Sequence, residues 1–189
     1  QKIAFCVTLN QDGTLHSIED IRDQDGAKRV PKSMIVCGNA KPSGSGINPG
    51  FLWDNLAYML GYKADDNKPA RTLESFESLR DRHLGAEAAI NDPEFSAVCR
   101  FLETWNPADA EQHDTLTELG TGFGVFRVRA TDHFVHHRPA VKRWWKKELA
   151  AATDDEESVT GQCLVTGEMA RLARLHEPKI KGVWGAQSS

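Results

Sequence analysis

The sequence predicts an α+β fold in which a small antiparallel sheet packs against several amphipathic helices. Residues 2–9 are rich in β-branched and aromatic side chains, and the turn-forming residues 10–13 separate them from a second such run at 14–18. This spacing is typical of a β-hairpin. A third strand is predicted at 33–37. Later in the chain, apolar residues recur every three or four positions, as in helices with one buried face.

After the third strand, residues 38–47 are dominated by Gly, Pro, Ser and Asn, which disfavour regular structure and predict a loop. Asn48 is a good N-cap, Pro49 suits the first helical turn, and Gly61 can end a helix. The sequence therefore predicts a helix over 50–60, with the glycine-rich loop held between a strand and a helix start.

Two further amphipathic helices are predicted on either side of residues 85–93. Their buried faces consist of Leu73, Phe76 and Leu79, and of Val98, Phe101, Leu102 and Trp105. Residues 120–124 (Gly-Thr-Gly-Phe-Gly) break the chain and lead into an alternating strand at 125–129. The last helix has its apolar face at Val141, Trp144, Trp145 and Leu149. Residues 163–180 indicate a hairpin-like segment that ends in an extended arm.

The length of 189 residues and the 40% apolar content suit one large domain, with a possible subdivision into 1–122 and 123–189. Because the chain begins inside a strand-like run, we expect the amino-terminal domain of a longer protein. It has no run of about 18 apolar residues, so we expect a cytoplasmic protein without a membrane span. Four sparsely spaced cysteines favour reduced, mostly buried thiols.

The net charge of −4 argues against a protein that is basic throughout, so any contact with nucleic acid must come from local patches. Three patches are present. Residues 26–50 contain Lys28, Arg29, Lys32 and Lys41 and no acidic residue; residues 138–147 contain Arg138, Lys142, Arg143, Lys146 and Lys147; residues 171–181 contain Arg171, Arg174, Lys179 and Lys181.

No enzyme signature is convincing, and we expect neither catalysis nor a cofactor. The densest set of possible metal ligands is Asp132, His133, His136 and His137. Its spacing matches known metal-binding helices poorly. Cys163 lacks the second cysteine pair that a structural zinc site needs. The glycines of 120–124 lack the Lys-Ser/Thr ending of a phosphate loop and indicate a turn into a strand.

The glycine-rich loop is the first candidate for contact with DNA, through Asn39, Lys41, Ser43 and Ser45. Small residues let the backbone approach a duplex, and amide or ammonium groups meet phosphates and minor-groove acceptors. The alternative is an ordinary surface connection. For Asn48 we favour the helix cap over a DNA contact.

Two other segments are candidates for DNA or RNA contact. The carboxy-terminal arm carries Lys179, Lys181 and Gln187, which with Lys32 form a secondary set; the alternative is a buried strand that enters a following domain. The helix face formed by Lys142, Arg143, Lys146 and Lys147 suits phosphates of DNA or of a guide RNA. Charged helix faces are commonly only solvated, which is the alternative here.

Several blocks of sequence carry a family resemblance: residues 178–189 (Pro-Lys-Ile-Lys-Gly-Val-Trp-Gly-Ala-Gln-Ser-Ser), 163–168 (Cys-Leu-Val-Thr-Gly-Glu), 174–176 (Arg-Leu-His), 48–56 and 135–145. Together they resemble the large subunit of the type I-C CRISPR surveillance complex (Cascade), a Cas8-type protein of the Csd family. The likeness spans most of the chain.

The resemblance implies an amino-terminal domain that recognises the protospacer-adjacent motif (PAM), usually TTC, in double-stranded target DNA and supports duplex opening. The implied partners are the 5′ handle of the CRISPR RNA (crRNA), the handle-binding and backbone subunits, and a helicase-nuclease recruited after target binding. One alternative is a docking module within Cascade, or the target of a phage anti-CRISPR inhibitor. The other is a metal-dependent nuclease built on the histidine cluster.

Overall fold

The computed structural model of the protein describes residues 1–38, 46–152, 160–162 and 167–171. The chain separates into two compact units, Gln1–Lys146 and Lys147–Ser189. The first unit contains the main sheet and the core.

The strands are β1 (Lys2–Leu9), β2 (Leu15–Asp20), β3 (Asp23–Asp25), β4 (Lys28–Val30), β5 (Lys32–Ser33), β6 (Trp53–Asn55), β7 (Phe123–Val128), β8 (Thr160–Gln162) and β9 (Met169–Arg171). The α-helices are α1 (Leu56–Leu60), α2 (Pro69–Ile90), α3 (Pro93–Thr104), α4 (Thr115–Leu119) and α5 (Pro139–Ala152). Short 3₁₀ helices lie at Pro107–Gln112 and Val135–His137.

The main sheet has the strand order β2-β1-β7-β6, and β5 also pairs with β1. The predicted hairpin is confirmed, because β1 and β2 pair antiparallel. The α+β class is confirmed, but the sheet is mixed and the predicted wholly antiparallel pairing is wrong, because β1 and β7 at its centre pair parallel. Seven of the eight residues of β1 are buried, which places this strand in the middle of the core.

The helix predicted over 50–60 is wrong in its first half. Residues 53–55 form β6, which pairs antiparallel with β7, and only Leu56–Leu60 is helical. Asn55 is the N-cap, because its side-chain oxygen accepts hydrogen bonds from the amides of Ala57 (3.0 Å) and Tyr58 (3.4 Å). The cap predicted at Asn48 is therefore wrong. Gly61 ends the helix in the left-handed region (φ 65°), as predicted.

Two other boundaries differ from prediction. The third strand is limited to Lys32–Ser33, because only these residues pair with β1. Helix α2 runs through Gly85 without interruption, and the break before α3 lies at Asn91 and Asp92, where the Asp92 carboxylate caps α3.

The strand predicted at 125–129 and the last helix are confirmed as β7 and α5. In the second unit, β8 and β9 form an antiparallel hairpin, which overlaps the segment predicted at 163–180. Residues 163–166 and 172–180 of that segment lie outside the described residues.

Candidate nucleic-acid interface

Helix α5 presents the basic face that the sequence predicts. Val141 is fully buried and Trp144 and Trp145 are half-buried against the core, whereas Lys142, Arg143 and Lys146 are exposed. In the described part of the chain, none of these three cations forms an ion pair with a carboxylate. Lys147 is also exposed and is the first residue of the second unit.

Aromatic contacts hold α5 against the core. The buried ring of Phe51 lies 4.7 Å from the Trp144 ring and 5.3 Å from the Trp145 ring, measured between centroids. At the start of the helix, the Arg138 guanidinium pairs with the carboxylates of Asp92 (2.9 Å) and Glu94 (3.2 Å). Arg138 therefore anchors α5, and the exposed charge of the helix lies one turn farther on.

The first described end of the glycine-rich segment lies against α5. The indole nitrogen of Trp53 donates a hydrogen bond to the carbonyl of Cys37 at 2.6 Å. The next residue, Gly38, has φ of 114°, and a β-carbon placed on it would lie 3.5 Å from the ring of Trp145. A larger residue would be strained at this φ, so glycine fits the close approach to the ring.

The other described end of the segment reaches the same tryptophan. The backbone amide of Asn48 donates a hydrogen bond to the Tyr58 hydroxyl at 3.1 Å. The Arg82 guanidinium donates a hydrogen bond to the carbonyl of Pro49. Arg82 also lies 5.7 Å from the centroid of the Trp145 ring, a cation–π distance. Gly38, at the start of the segment, thus lies against Trp145, and Pro49, two residues past its end, is held by Arg82 beside the same ring.

The charge of Lys142 acts on this same region. Burial raises the pKa of the Cys37 thiol to about 11, and Lys142 opposes that rise. Burial, together with the positive charges of His137 and Lys142, lowers the pKa of His136 to about 3. Lys142 is therefore close enough to the start of the glycine-rich segment to influence its electrostatics.

Seven of the predicted contact residues lie outside the described residues. These are Asn39, Lys41, Ser43, Ser45, Lys179, Lys181 and Gln187. Lys32 is described and pairs with the exposed carboxylate of Asp23 at 3.2 Å. Exposed pairs of this kind contribute little free energy, so Lys32 stays available to a polyanion.

The basic patch at 26–50 has no acidic residue in sequence, but acidic residues of β2 and β3 contact it in space. Arg29 pairs with Asp20, which also binds Arg22 at 2.7 Å, and Lys32 pairs with Asp23. Hydrogen bonds from Arg22 and Arg29 hold the pKa of Asp20 far below its usual range. Two of the cations of this patch, Arg29 and Lys32, therefore have carboxylate partners from outside the 26–50 segment.

The histidine cluster is divided among different environments. His133 contacts the Glu94 carboxylate at 3.0 Å, whereas His136 is 2% exposed and stacks on Phe134 with a centroid separation of 5.6 Å. Within the described residues, neither ring nitrogen of His136 has a hydrogen-bond partner; the Ile35 backbone raises its pKa without reaching hydrogen-bond geometry. Among the described residues, no three His, Cys, Asp or Glu side chains are arranged to hold a metal ion.

Two residues that position the segment were missed by sequence reasoning. Arg82 lies 33 positions from Pro49, on the exposed side of a long helix, and Trp53 reads as an ordinary core residue. No local pattern links either residue to the loop, because both contacts depend on the tertiary packing of α2 and β6.

A family model described as CRISPR-associated protein (Cas_Csd1) matches residues 1–189. The chain belongs to the Csd1 family. Csd1 proteins are the large subunits of type I-C CRISPR systems, so the chain has a CRISPR-associated role within a complex of several subunits. No curated protein matches the sequence. Within the described part of this Csd1 chain, no helix is long and apolar enough to cross a membrane.

Proposed function

We propose that this Csd1-family domain recognises the protospacer-adjacent motif in double-stranded target DNA and supports opening of the duplex for crRNA pairing. The observation that supports this best is that Gly38, at the start of the glycine-rich segment, lies against Trp145, while Arg82 beside the same ring holds the carbonyl of Pro49, just past the end of the segment. Trp145 belongs to the helix that carries the exposed cations Lys142 and Lys146. The sequence between these two points contains Asn39, Lys41, Ser43 and Ser45, whose short polar or cationic side chains are of the kind that groove readout requires.

The two parts of the interface have different tasks. Lys142, Arg143 and Lys146 contact phosphates, which fix the position of the domain on the duplex without reading sequence. Asn39, Lys41, Ser43 and Ser45 meet base edges, where an amide or ammonium group separates A·T from G·C pairs in the minor groove. Lys147, Lys32 and the arm residues Lys179, Lys181 and Gln187 add secondary contacts.

This role requires binding and no catalysis by the domain. Base pairing with the guide reads the target sequence, and the protein reads the short flanking motif and the shape of the DNA. The partners in this proposal are target DNA, the crRNA 5′ handle, the handle-binding and backbone subunits, and a helicase-nuclease that arrives after target binding.

The experiment is binding of the assembled complex to matched target duplexes that differ only in the flanking motif. We expect Asn39→Ala/Lys41→Ala to abolish discrimination, with Asn39→Ala alone costing on the order of 1–3 kcal/mol on the correct motif and little on a wrong one. Lys142→Ala/Lys146→Ala should weaken binding to both duplexes equally and lower the log–log salt slope by about 0.9 per lost phosphate contact.

Arg80→Ala is the control, because Arg80 pairs with Asp81 on α2 and is outside the proposed interface. Unchanged discrimination by Asn39→Ala/Lys41→Ala would overturn the assignment of the segment. If the wild-type complex also fails to discriminate, the domain is not the motif reader.

A second candidate function is docking of a protein, either a neighbouring Cascade subunit or a phage anti-CRISPR inhibitor. The observation that favours it is Ile35, a large apolar side chain that is 91% exposed two positions before Cys37. Where a protein and target DNA bind the same surface, target DNA should displace the protein. Ile35→Ser should weaken binding of the protein and leave the salt slope for DNA unchanged.

A further inference from the structure

The tripeptide Gln-Asp-Gly occurs twice in the sequence, at residues 11–13 and 24–26. The first copy lies in the turn between β1 and β2, and the second joins the end of β3 to the turn before β4. No other Asp-Gly pair and no Asn-Gly pair is present in the sequence. Because the three residues are the same in both copies, the structure around each copy decides how it reacts.

An Asp-Gly pair can isomerise without an enzyme. The backbone nitrogen of the glycine attacks the side-chain carboxyl carbon of the aspartate: the N–C bond forms, a C–O bond breaks, and the hydroxyl leaves with the amide proton as water. Water then adds to the main-chain carbonyl of this cyclic imide, and the ring opens to isoaspartate. One water leaves and one enters, and nothing is oxidised or reduced. Glycine favours the reaction, because it has no β-carbon to crowd the ring and its backbone rotates freely.

At the first copy, hydrogen bonds hold both reacting groups. The Asp12 carboxylate accepts hydrogen bonds from the backbone amide (2.9 Å) and the hydroxyl (2.7 Å) of Thr14. These bonds hold the pKa of Asp12 below its usual value, so the protonated carboxyl, from which water leaves more easily, is scarcer. The attacking nitrogen is also engaged, because the Gly13 amide donates to the Asn10 carbonyl at 3.0 Å.

The backbone of the first copy is packed against α3. Gly13 is buried, and a β-carbon on it would lie 2.7 Å from the β-carbon of Arg100. The Arg100 guanidinium donates hydrogen bonds to the carbonyls of Gln11 (2.7 Å) and Asp12 (2.9 Å). Ring closure requires rotation of this backbone, which would break these contacts. The fold therefore protects Asp12.

At the second copy, the same groups are open to solvent. Residues 23–30 are all exposed, and a β-carbon on Gly26 would meet no atom within 4 Å. Among the described residues, no group forms a hydrogen bond or ion pair with the Asp25 carboxylate. The carbonyl of Gly26 accepts a hydrogen bond from the Gln24 side chain at 2.6 Å, but this oxygen takes no part in ring closure. Strands β3 and β4 form a two-stranded sheet of their own, and such hairpins are marginally stable in water.

We propose that Asp25 is a site of spontaneous isoaspartate formation and that Asp12, in the same tripeptide, is not. Isomerisation routes the chain through the former side chain and so lengthens the backbone at residue 25. The pairing of Asp25 with Lys28 at the end of the hairpin would then be misaligned. The product is a substrate for the class of methyltransferases that act on isoaspartate with S-adenosylmethionine as methyl donor. Neither DNA nor a partner protein enters this chemistry, so the site does not depend on the proposed function.

The test ages the purified full-length protein at neutral pH, in native buffer and in urea, and then digests it with trypsin. Cleavage after Arg22 places the two copies in different peptides. Methylation of isoaspartate with labelled S-adenosylmethionine measures the modification in each peptide, and electron-transfer fragmentation locates it. In native buffer, we expect several-fold more isoaspartate at Asp25 than at Asp12. In urea, the two sites should isomerise to similar extents, because the contacts around Asp12 are lost.

Asp25→Glu is the variant, because it keeps the charge but would have to close a larger ring, which forms more slowly. It should remove the signal from the hairpin peptide and leave the Asp12 peptide unchanged. Asp23→Glu is the matched control in the same peptide, since Asp23 precedes glutamine, and it should keep the signal. Absence of isoaspartate at Asp25 in native buffer, or equal amounts at both sites, would overturn the proposal. So would a difference between the sites that persists in urea, because the fold would then not be its cause.

Discussion

The ring of Phe5 occupies the space above Gly124 that a side chain at that position would need. These residues are partners in the register of the parallel strands β1 and β7. A β-carbon on Gly124 would lie 2.1 Å from the Phe5 ring, and Phe5 is fully buried. The glycine therefore lets a large aromatic side chain pack directly on the backbone at the centre of the sheet.

Gly124→Ala should lower the free energy of unfolding by about 1–3 kcal/mol, because the added methyl group forces the Phe5 ring out of a filled core. Urea denaturation measures this change. The matched control is Gly85→Ala in the exposed interior of α2, where a β-carbon meets no atom within 4 Å. That substitution should raise stability by up to about 1 kcal/mol. Equal effects of the two would contradict the packing described.

The cap of α1 gives a second prediction. Asn55→Ala should cost about 1 kcal/mol, because it removes the side-chain acceptor for the amides of Ala57 and Tyr58. Asn48→Ala should cost much less, since the hydrogen bond from Asn48 to Tyr58 uses the backbone amide. Thermal unfolding of the two variants measures both losses. A larger loss of stability for Asn48→Ala than for Asn55→Ala would instead indicate that Asn48 is the cap.

These residues show what the sequence can and cannot predict. Asn48-Pro49 and Asn55 are both good helix starts by local chemistry, and the choice between them is made by pairing of β6 with β7, some 70 positions away. The parallel pairing of β1 with β7 joins residues that are still farther apart in sequence, such as Phe5 and Gly124. By contrast, the hairpin β1–β2 depends on local turn residues, and the helices α3 and α5 depend on local periodicity. The sequence predicts all three elements.

His136 should make stability depend on pH. Its pKa is lowered to about 3 by burial, whereas an unfolded histidine titrates near 6.5. Between these values the unfolded chain binds a proton that the folded chain does not, so stability is complete above pH 6.5 and falls with acidification. The contribution of one such group is up to about 1.4 kcal/mol per pH unit.

His136→Leu should therefore reduce the loss of stability on acidification from pH 6.5 to about pH 4, measured by urea denaturation at several pH values. His83 also contributes, since burial lowers its pKa to about 4, and this contribution should persist in the variant. His16→Leu is the control, because His16 is exposed. The same pH dependence of stability in wild type and His136→Leu would contradict the assignment of this effect to His136.

The described cysteines should resist alkylation in the folded protein. Cys6, Cys37 and Cys99 are free and buried, as the sequence predicted for most of its thiols. Burial raises the pKa of Cys6 and Cys37 to about 11 and that of Cys99 to about 12, so the reactive thiolate is scarce at neutral pH. Mass spectrometry after iodoacetamide treatment should find these three modified in urea but not in native buffer.

At the candidate interface, the sequence predicts the exposed charges but not the contacts that position them. The exposed face of Lys142, Arg143 and Lys146 follows from helical periodicity alone. Helical periodicity does not predict the ion pair of Arg138 with Asp92 or the hydrogen bond from Arg82 to the carbonyl of Pro49. Both join elements that are distant in sequence, which no local pattern records.

The residues on either side of 39–45 are held by three side chains. Trp53 binds the carbonyl of Cys37, Trp145 lies against Gly38, and Arg82 binds the carbonyl of Pro49. These three residues lie outside 39–45, so substitutions within that stretch leave the contacting side chains themselves unchanged. On the function proposed above, a new preference for flanking DNA would arise, in evolution or in the laboratory, from the replacement of a few contiguous codons.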